Sequence, residues 1–461
     1  MTGERKGPRG EGSPAGDARR AAAAAMPEPR LTGAQALAEA ARCLQCFDAP
    51  CTRACPAGIV IPRFIRMLST GNVRGAAETV RAANPLAASC GVACPGEDLC
   101  GAACLRAEVD RPVAIRRLHR FATETDEARG RRPPELPAAR RGRVAVVGAG
   151  PAGMACAFEL RRRGIAVTVF DRARRPGGVL SASIPIYRFP DTAWLSDAAW
   201  ALAGHGRKAG AALRLGATVG DVAALARRFD AVFVATGLQA DGPALKGSHL
   251  AGVTTAEAFL RLCRRRRYRN RVGRAVVVIG GGNVAIDAAI GAVRCGEGAA
   301  RAPLVRLLYR RTRSEMPAWE REIVEAESSG VILQTLTLPV ELVGKEGKLA
   351  GIRIRRAVPG RIDASGRRRP RPVAGSETVI PCDQAILALG QRLERGPLGG
   401  LDLDPDGLLR ADPETRHVRG NVYAGGDAAG GEGTIVAAVR DGKVAAGAIA
   451  GRITSGVTNS C

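Results

Sequence analysis

The chain has 461 residues, 46% of them apolar and 3% aromatic, with 69 Lys and Arg against 44 Asp and Glu for a formal charge of +25. That is room for about three domains of ordinary size, each with a core of its own. The charge suggests nucleic acid, yet only six of the 69 basic residues are Lys, the Arg, Ala and Gly enrichment is that of base-composition bias, and no groove-reading or stacking motif accompanies it. A nucleic-acid partner is therefore set aside, while a basic face that docks an acidic protein stays open. No apolar run approaches the ~18 residues a membrane helix needs, and no hydrophobic core of a secretory signal stands near the N-terminus. A cytoplasmic protein without membrane contact is expected.

Residues 1–30 are Gly, Pro, Arg and Ala without periodicity, which predicts a disordered tail, and Met26 offers a second candidate start. From Leu31 a helical pattern leads into Cys43-x2-Cys46-x4-Cys51-x3-Cys55-Pro56. A helical stretch from Ile61 to Ala83 then separates that set from Cys90-x3-Cys94-x5-Cys100-x3-Cys104. Eight of the 13 cysteines thus lie between residues 43 and 104, a pattern that in a reducing compartment means metal. Zinc ribbons favour paired C-x2-C knuckles, and only Cys43 and Cys46 have that form. Closely spaced cysteines ending in Cys-Pro, followed by a second set, resemble a two-cluster ferredoxin, so iron–sulfur is preferred to zinc. The spacing leaves open which eight ligands are used. Residues 126–141, rich in Arg, Pro and Glu, read as a linker.

Val144-Ala145-Val146-Val147-Gly148-Ala149-Gly150-Pro151-Ala152-Gly153 reads as a strand, a tight turn and a helix start. Gly148 makes the turn, Gly150 lets a pyrophosphate approach the main chain, and Gly153 lets helix and strand pack; Pro151 and Ala152 open the helix whose free N–H groups receive the phosphates. Asp171, at the end of the next apolar run, is placed to bond a ribose hydroxyl. The loop through Gly177, Gly178 and Arg188 is suited to lie against a flat ring. Phe229 to Gly237 is a strand whose small end residues let the chain leave one domain for another. The device repeats at Ala275 to Ile279 followed by Gly280-Gly281-Gly282-Asn283-Val284, so two dinucleotides are expected. After the strand Leu304 to Tyr309, Arg310 and Arg311 stand where the first unit has Asp171, which favours a 2′-phosphate and hence NADPH over NADH. Asp287 is read as structural. Gln384 to Gly390 mirrors the outward crossing and returns the chain to the first unit, which closes through Gly426 and Asp427. The last helix then starts at Thr434, with its N-terminus toward the pyrimidine edge of a reduced flavin.

The order of cysteine sets, flavin fingerprint, inserted NAD(P) fingerprint and flavin return resembles the family that includes the small chain of glutamate synthase and the N-terminal half of dihydropyrimidine dehydrogenase, with its separate bacterial NAD(P)-binding subunit. Residues 42–51 and 112–123 look closer to the pyrimidine branch, and Tyr309 to Pro317 is more similar to the glutamate synthase branch. The implied fold is α/β: a helical two-cluster domain over residues 31–125, an FAD-binding Rossmann-like domain over 142–240 and 386–461, and an NAD(P)-binding domain inserted over 241–385. By the resemblance, one 4Fe-4S cluster uses Cys43, Cys46, Cys51 and Cys104. The other uses Cys55, Cys94, Cys100 and a residue that is Gln in the pyrimidine branch and His119 here. Cys90 falls outside both sets as a small buried residue. The implied cofactors are FAD, NADP or NAD, and two 4Fe-4S clusters, with no protein side chain as catalyst. A redox disulfide is not evident, because Cys156, Cys263, Cys295 and Cys382 are isolated in sequence. Nothing after the flavin closure resembles a substrate domain. The expectation is therefore an electron-input subunit in a hetero-oligomer, delivering to an FMN-containing catalytic subunit of dihydropyrimidine dehydrogenase. A glutamate synthase small chain, a stand-alone NAD(P)H reductase and a non-catalytic scaffold are the alternatives.

Overall fold

A computed structural model of the chain describes residues 29–139, 141–203, 211–240, 245–265, 271–296, 302–363 and 366–455. The tail, the candidate start at Met26 included, lies outside the described residues. These residues divide into two compact units, one of residues 29–241 with 390–461 and one of residues 242–389.

The first unit begins with short helices. Thr32 and Gln35 form a reciprocal capping box on α1 (Gly33–Ala41). Pro50 starts α2 (Pro50–Arg53), which carries Cys51, the third cysteine of the first set. The expected helical stretch from Ile61 to Ala83 consists of two helices, α3 (Ile61–Ser69) and α4 (Val73–Ala83). Gly71 takes φ +78° and the Asn72 side chain accepts from the Gly75 N–H at 2.9 Å, so a glycine turn and a new N-cap break the run. Helices α5 (Ala87–Ala93) and α6 (Ile115–Ala128) follow. The expected linker from residue 126 is thus helical as far as Ala128, because Asp126 is buried in an ion pair with Arg81 of α4. Phe64, Ile65, Leu68, Val80, Leu86 and Leu118 form the core of this helical arm.

The arm continues into a six-stranded sheet. Strands β1 (Arg141–Val147), β2 (Ile165–Asp171), β3 (Ala211–Leu215) and β4 (Ala231–Val234) are parallel, and the late hairpin β14 (His417–Arg419) and β15 (Val422–Ala424) joins beside β4. The order is β14-β15-β4-β1-β2-β3, so the switch in strand order falls at β1, where a nucleotide belongs. Helix α7 (Pro151–Arg162) follows β1, and α8 (Asp191–Ala201) carries Asp197, whose carboxylate accepts from the N–H groups of Ala88 at 2.9 Å and Ser89 at 2.6 Å on α5.

In the second unit β5 (Val253–Thr255) and α9 (Ala256–Arg264) precede β6 (Ala275–Ile279), α10 (Asn283–Cys295), β7 (Leu304–Leu308) and β8 (Ile332–Gln334). Here the sequence reading is incomplete. Before the return strand β13 (Gln384–Leu387) the chain makes an antiparallel excursion, β9 (Thr337–Lys345), β10 (Lys348–Ile362), β11 (Arg368–Pro372) and β12 (Thr378–Pro381). The parallel order is β5-β13-β6-β7-β8, the same arrangement about β6 as the first sheet has about β1.

The final helix α12, taking the Glu320–Ser328 helix as α11, spans Ile435–Thr454 and lies along α7. A Cβ at Gly442 would stand 2.3 Å from the Ala152 carbonyl oxygen and 2.8 Å from the Cys156 nitrogen, so the helices approach there to backbone contact. At Gly447, five residues on, nothing lies within 4 Å. Gly442→Ala is therefore expected to cost about 1–3 kcal/mol through overpacking, and Gly447→Ala to stabilise by about 0.5–1 kcal/mol through helix propensity. Chemical-denaturation midpoints of the two variants check both signs.

Candidate functional site

The left-handed Gln45 (φ +53°) turns the chain between Cys43 and Cys46, and α2 presents Cys51. These three sulfurs and Cys104, far along the chain, line one cavity whose remaining walls include Leu44, Ile61, Pro62, Ile65, Leu105, Val113 and Ile115. Burial first, and the neighbouring sulfurs second, push the Cys51 thiol up to about 11. Burial also raises Cys43, whose neighbours are Cys104 and Cys46. Four sulfurs in an apolar cavity are held as thiolates only by a cationic centre. Among the described residues no group of three His, Cys, Asp or Glu could hold a single metal ion. A 4Fe-4S cluster asks for a different arrangement, four thiolates around a whole cubane.

Cys55, Cys94 and Cys100 form a second group, with burial first and then Cys94 and Cys55 pushing the Cys100 thiol up. Gly96 carries both ends of this site: a Cβ there would stand 3.1 Å from the Arg116 Cβ and 3.8 Å from the Cys100 Sγ. One turn beyond Arg116 on α6 is His119, 6% exposed. Its ring is held by a hydrogen bond to the Ala87 carbonyl and by an edge contact with Phe64 at 6.4 Å, while its buried Nε2 has no hydrogen-bond partner. Burial pushes the imidazole down to about 4, so it is neutral near pH 7. A neutral histidine with one nitrogen anchored on a carbonyl and the other unpaired is the usual state of a metal ligand. Cys90, on α5, is buried and raised by that burial, with Cys94 and Cys55 among its neighbours.

At the first nucleotide turn Gly148 has φ +109°, and a Cβ on it would stand 2.2 Å from the Ala235 carbonyl oxygen. A Cβ on Gly153 would stand 1.8 Å from the Gly148 carbonyl oxygen, so only glycine allows this helix to start against its own strand. Gly150, the N-cap of α7, faces open space apart from the Gly178 Cα at 3.9 Å; Pro151 and Ala152 are the first helical residues. The Asp171 carboxylate accepts from the Ala149 and Ala173 N–H groups, both at 2.7 Å. A carboxylate has about four acceptor sites, so Asp171 keeps acceptor capacity for a further donor. Gly177 donates to the Ala149 carbonyl at 2.8 Å, which folds the loop of Gly177 and Gly178 onto the turn. Arg188 is buried, with its guanidinium 5.7 Å from the Tyr187 ring. Gly237 has no neighbour within 4 Å of its Cβ position.

The return segment is held by a residue the sequence reading did not single out. Asp441, fully buried, accepts from the Gly426 N–H at 3.0 Å and pairs with Arg416 and with Arg440. It is a lone acid on the apolar face of α12, and that mismatch was the available signal. Beside it, burial pushes the Asp427 carboxyl up, opposed by the Gly433 N–H that donates to it. The Thr434 hydroxyl accepts from the Ala437 N–H at 3.2 Å and caps α12. Lys443, two residues past Asp441, donates to the carbonyls of Ala57 and Ala83, both at 2.6 Å, which ties the return helix to the cysteine arm.

The second turn repeats the first. Gly280 has φ +150°, and a Cβ on it would stand 2.5 Å from the Ala388 carbonyl oxygen. Gly282 is the N-cap of α10, the Asn283 side chain accepts from the Trp319 N–H at 3.1 Å, and Val284 is exposed. The two arginines after β7 part company. Arg311 is buried and committed to Asp363 at 2.6 Å and to the Arg368 carbonyl at 3.0 Å. Arg310 is exposed, and with Arg311 and Arg369 it lines one groove.

Two family matches cover this architecture. Residues 20–131 match the family described as dihydropyrimidine dehydrogenase domain II, 4Fe-4S cluster, and residues 142–442 match pyridine nucleotide-disulphide oxidoreductase. The chain is 37% identical to the NADP(+)-dependent formate dehydrogenase subunit beta of Moorella thermoacetica, over 89% of this chain but only 61% of that protein. It thus spans less than two thirds of that relative's length. It is 32% identical to the NAD-dependent dihydropyrimidine dehydrogenase subunit PreT of Escherichia coli K12, over 91% of this chain and 95% of that one. It is 33% identical to the glutamate synthase [NADPH] small chain of the same organism, over 92% of both. Among solved structures, FprA of Mycobacterium tuberculosis in complex with NADPH shares the fold, with a TM-score of 0.56 at 19% identity over 68% of this chain and 85% of that one. Among the described residues no helix is long and apolar enough to cross a membrane.

The unpaired Nε2 of His119 and the buried Cys90 make opposite predictions. His119→Ala is expected to lower the iron of anaerobically purified protein by about half, one of two clusters, while Cys90→Ala leaves it unchanged. Iron and sulfide quantitation against protein concentration reads both.

Proposed function

Because the chain belongs to the pyridine nucleotide-disulphide oxidoreductase family and carries a 4Fe-4S domain of the dihydropyrimidine dehydrogenase type ahead of it, we propose that this NAD(P)H-dependent flavin oxidoreductase is an electron-input subunit, and that its partner is the catalytic subunit of a dihydropyrimidine dehydrogenase that reduces uracil or thymine. The chemistry that the bound groups supply is hydride acceptance at the flavin and one-electron transfer at the clusters.

In this reading the N-termini of α7 and α10 hold the two pyrophosphates, Asp171 holds the flavin ribose, and the cap of α12 faces the flavin pyrimidine edge. Gly177, Gly178, Arg188, Gly237, Gly426 and Asp427 shape the ring site. Cys43, Cys46, Cys51 and Cys104 hold one cluster; Cys55, Cys94, Cys100 and His119 hold the other. The apolar walls around both keep water off the sulfurs and so set their potentials.

The observation that carries the proposal is the order of the two cysteine groups along the first unit. Lys443, on the flavin return helix, donates to the carbonyl of Ala57, two residues past Cys55, at 2.6 Å, so the group of Cys55 is the inner one. Cys46 belongs to the outer group and also lines a surface groove with Phe47, Val60, Pro62, Arg63 and Arg66. Phe47 is fully exposed, at 108% of its reference area, and Leu44 and Val60 are exposed beside it. An uncovered aromatic over an electron-carrying site, with Arg63 and Arg66 exposed next to it, suits a docking face for an acidic partner protein.

Glutamate synthase small chain is the second reading, favoured by near full-length similarity to that relative. Anaerobic purification from the native host, with the bound partner identified and assayed for NAD(P)H oxidation, separates the two. Turnover that depends on uracil or thymine is expected; turnover that depends on glutamine with 2-oxoglutarate would move the chain to the second reading. Because Arg311 is committed to Asp363, Arg310 is the arginine left for a 2′-phosphate. Arg310→Ala should raise KM for NADPH about tenfold, the loss of one charge-assisted phosphate contact, and leave KM for NADH unchanged.

A further inference from the structure

Two cysteines far apart in sequence meet in the inserted unit. Helices α9 and α10 pack where Gly291 gives room: a Cβ at Gly291 would stand 3.6 Å from the Phe259 ring and 3.7 Å from Leu260. Cys263 is one helical turn beyond Phe259, and Cys295 one turn beyond Gly291. Residues four apart share a helix face, so the contact line carries on to these two side chains. Their sulfurs are 3.2 Å apart, in S–H···S contact, and both residues are half-buried. A disulfide needs about 2.05 Å between sulfurs, so the thiols are already side by side and a small rotation of each closes the remaining gap.

We propose that Cys263 and Cys295 form a reversible oxidation site, a dithiol that takes a low-molecular-weight disulfide as its oxidant and becomes an intramolecular disulfide clamping α9 to α10. The reaction balances in two exchanges. The thiolate of one cysteine attacks a sulfur of glutathione disulfide, forming a mixed disulfide and expelling one glutathione thiolate, which takes up a proton. The second cysteine loses its proton and attacks the protein sulfur of the mixed disulfide, expelling the second glutathione. Two electrons pass from the protein to the oxidant, and one glutathione disulfide becomes two glutathione thiols.

This site is separate from the glycine turn of its own unit. The nucleotide turn is at the N-terminal end of α10 and Cys295 is its last residue, roughly 18 Å away along the helix. The pair is therefore not positioned to receive electrons through that turn. Its consequence is mechanical: the helix that presents Gly282 and Asn283 to the nucleotide becomes covalently tied to its neighbour. In the reduced state the pair is quiet. The hydrogen bond to Cys295 and then burial push the Cys263 thiol up, and both cysteines lie in or next to the last residue of their helices, where the dipole opposes negative charge. Oxidation is then slow and governed by the glutathione ratio rather than by chance exposure. Cys382, the remaining described cysteine of this unit, is buried at 4% exposure, so it is a poor competitor.

The test uses the full-length holoprotein, equilibrated anaerobically in buffers of reduced and oxidised glutathione, blocked with N-ethylmaleimide and mapped by peptide mass spectrometry. In wild type the two peptides are expected as one species joined by a disulfide, lighter than their sum by two hydrogens and released by dithiothreitol. Oxidation should raise the thermal midpoint of the inserted unit by roughly 5 °C. In Cys263→Ser the same treatment should leave Cys295 as a glutathione mixed disulfide, because the resolving thiol is gone. Cys263→Ser and Cys295→Ser should keep the reduced wild-type rate of NAD(P)H oxidation with ferricyanide. Maleimide on both cysteines of wild type in the most oxidising buffer would overturn the proposal. So would a wild-type mixed disulfide that never resolves, or a bridge from either cysteine to Cys382.

Discussion

The carbonyl oxygens of Ala235 and Ala388 occupy the space where a side chain on Gly148 or Gly280 would have to be, at 2.2 Å and 2.5 Å from the ideal Cβ positions. Each marks the end of the strand beside the one that leads into its sheet's glycine turn, and each residue also donates its N–H back to that strand, Ala235 to Val147 and Ala388 to Ile279, both at 2.8 Å. Both sheets are thus pinned at the point where their strand order reverses. Only glycine fits, and the helix that follows is forced to begin there, with its free N–H groups at the mouth of the switch point. The rest of the first unit is arranged around that fixed helix start. The second helix, α12, lies along α7 at backbone contact through Gly442, and its buried Asp441 holds the Gly426 loop in place.

The cysteine arm depends on the same helix pair. Lys443 of α12 donates to two carbonyls of the arm, and Asp197 of α8 caps the start of α5. Both bond to backbone groups, Asp197 buried and Lys443 half-buried, and they tie the cysteine arm to the helices of the first unit's sheet. A hydrophobic contact alone would allow sliding; a half-buried ammonium bonded to two specific carbonyls resists it, since moving it gives up both bonds. The fold therefore holds two redox-active regions of one unit in a fixed relation, which electron transfer requires and hydride chemistry alone does not.

Much of this was legible in the sequence where the constraint is local. The nucleotide turns announce themselves because glycine is required within a few residues of a strand end, and the mirrored crossings at Ala235 and Ala388 follow from the same rule. Matters set by distant contacts were not legible. The grouping of Cys104 with Cys43, Cys46 and Cys51 came from family resemblance, since spacing leaves the pairing open. The break at Gly71 was hidden inside an apolar periodicity that continues on both sides. The antiparallel excursion from Thr337 to Pro381 carries no motif of its own, and its strands pair through contacts that local sequence does not announce. The pairing of Arg311 with Asp363, 52 residues further on, carries no local signal. Cys263 and Cys295, 32 residues apart, carry no local motif at all.

The most direct test of the account is electron paramagnetic resonance on the full chain, purified anaerobically and reduced by light with a deazaflavin, at liquid-helium temperature. Two adjacent cubanes in one arm predict two paramagnetic centres of the 4Fe-4S type whose signals are split by mutual spin coupling. A single unsplit signal, or a diamagnetic protein that carries zinc in place of iron, would contradict it.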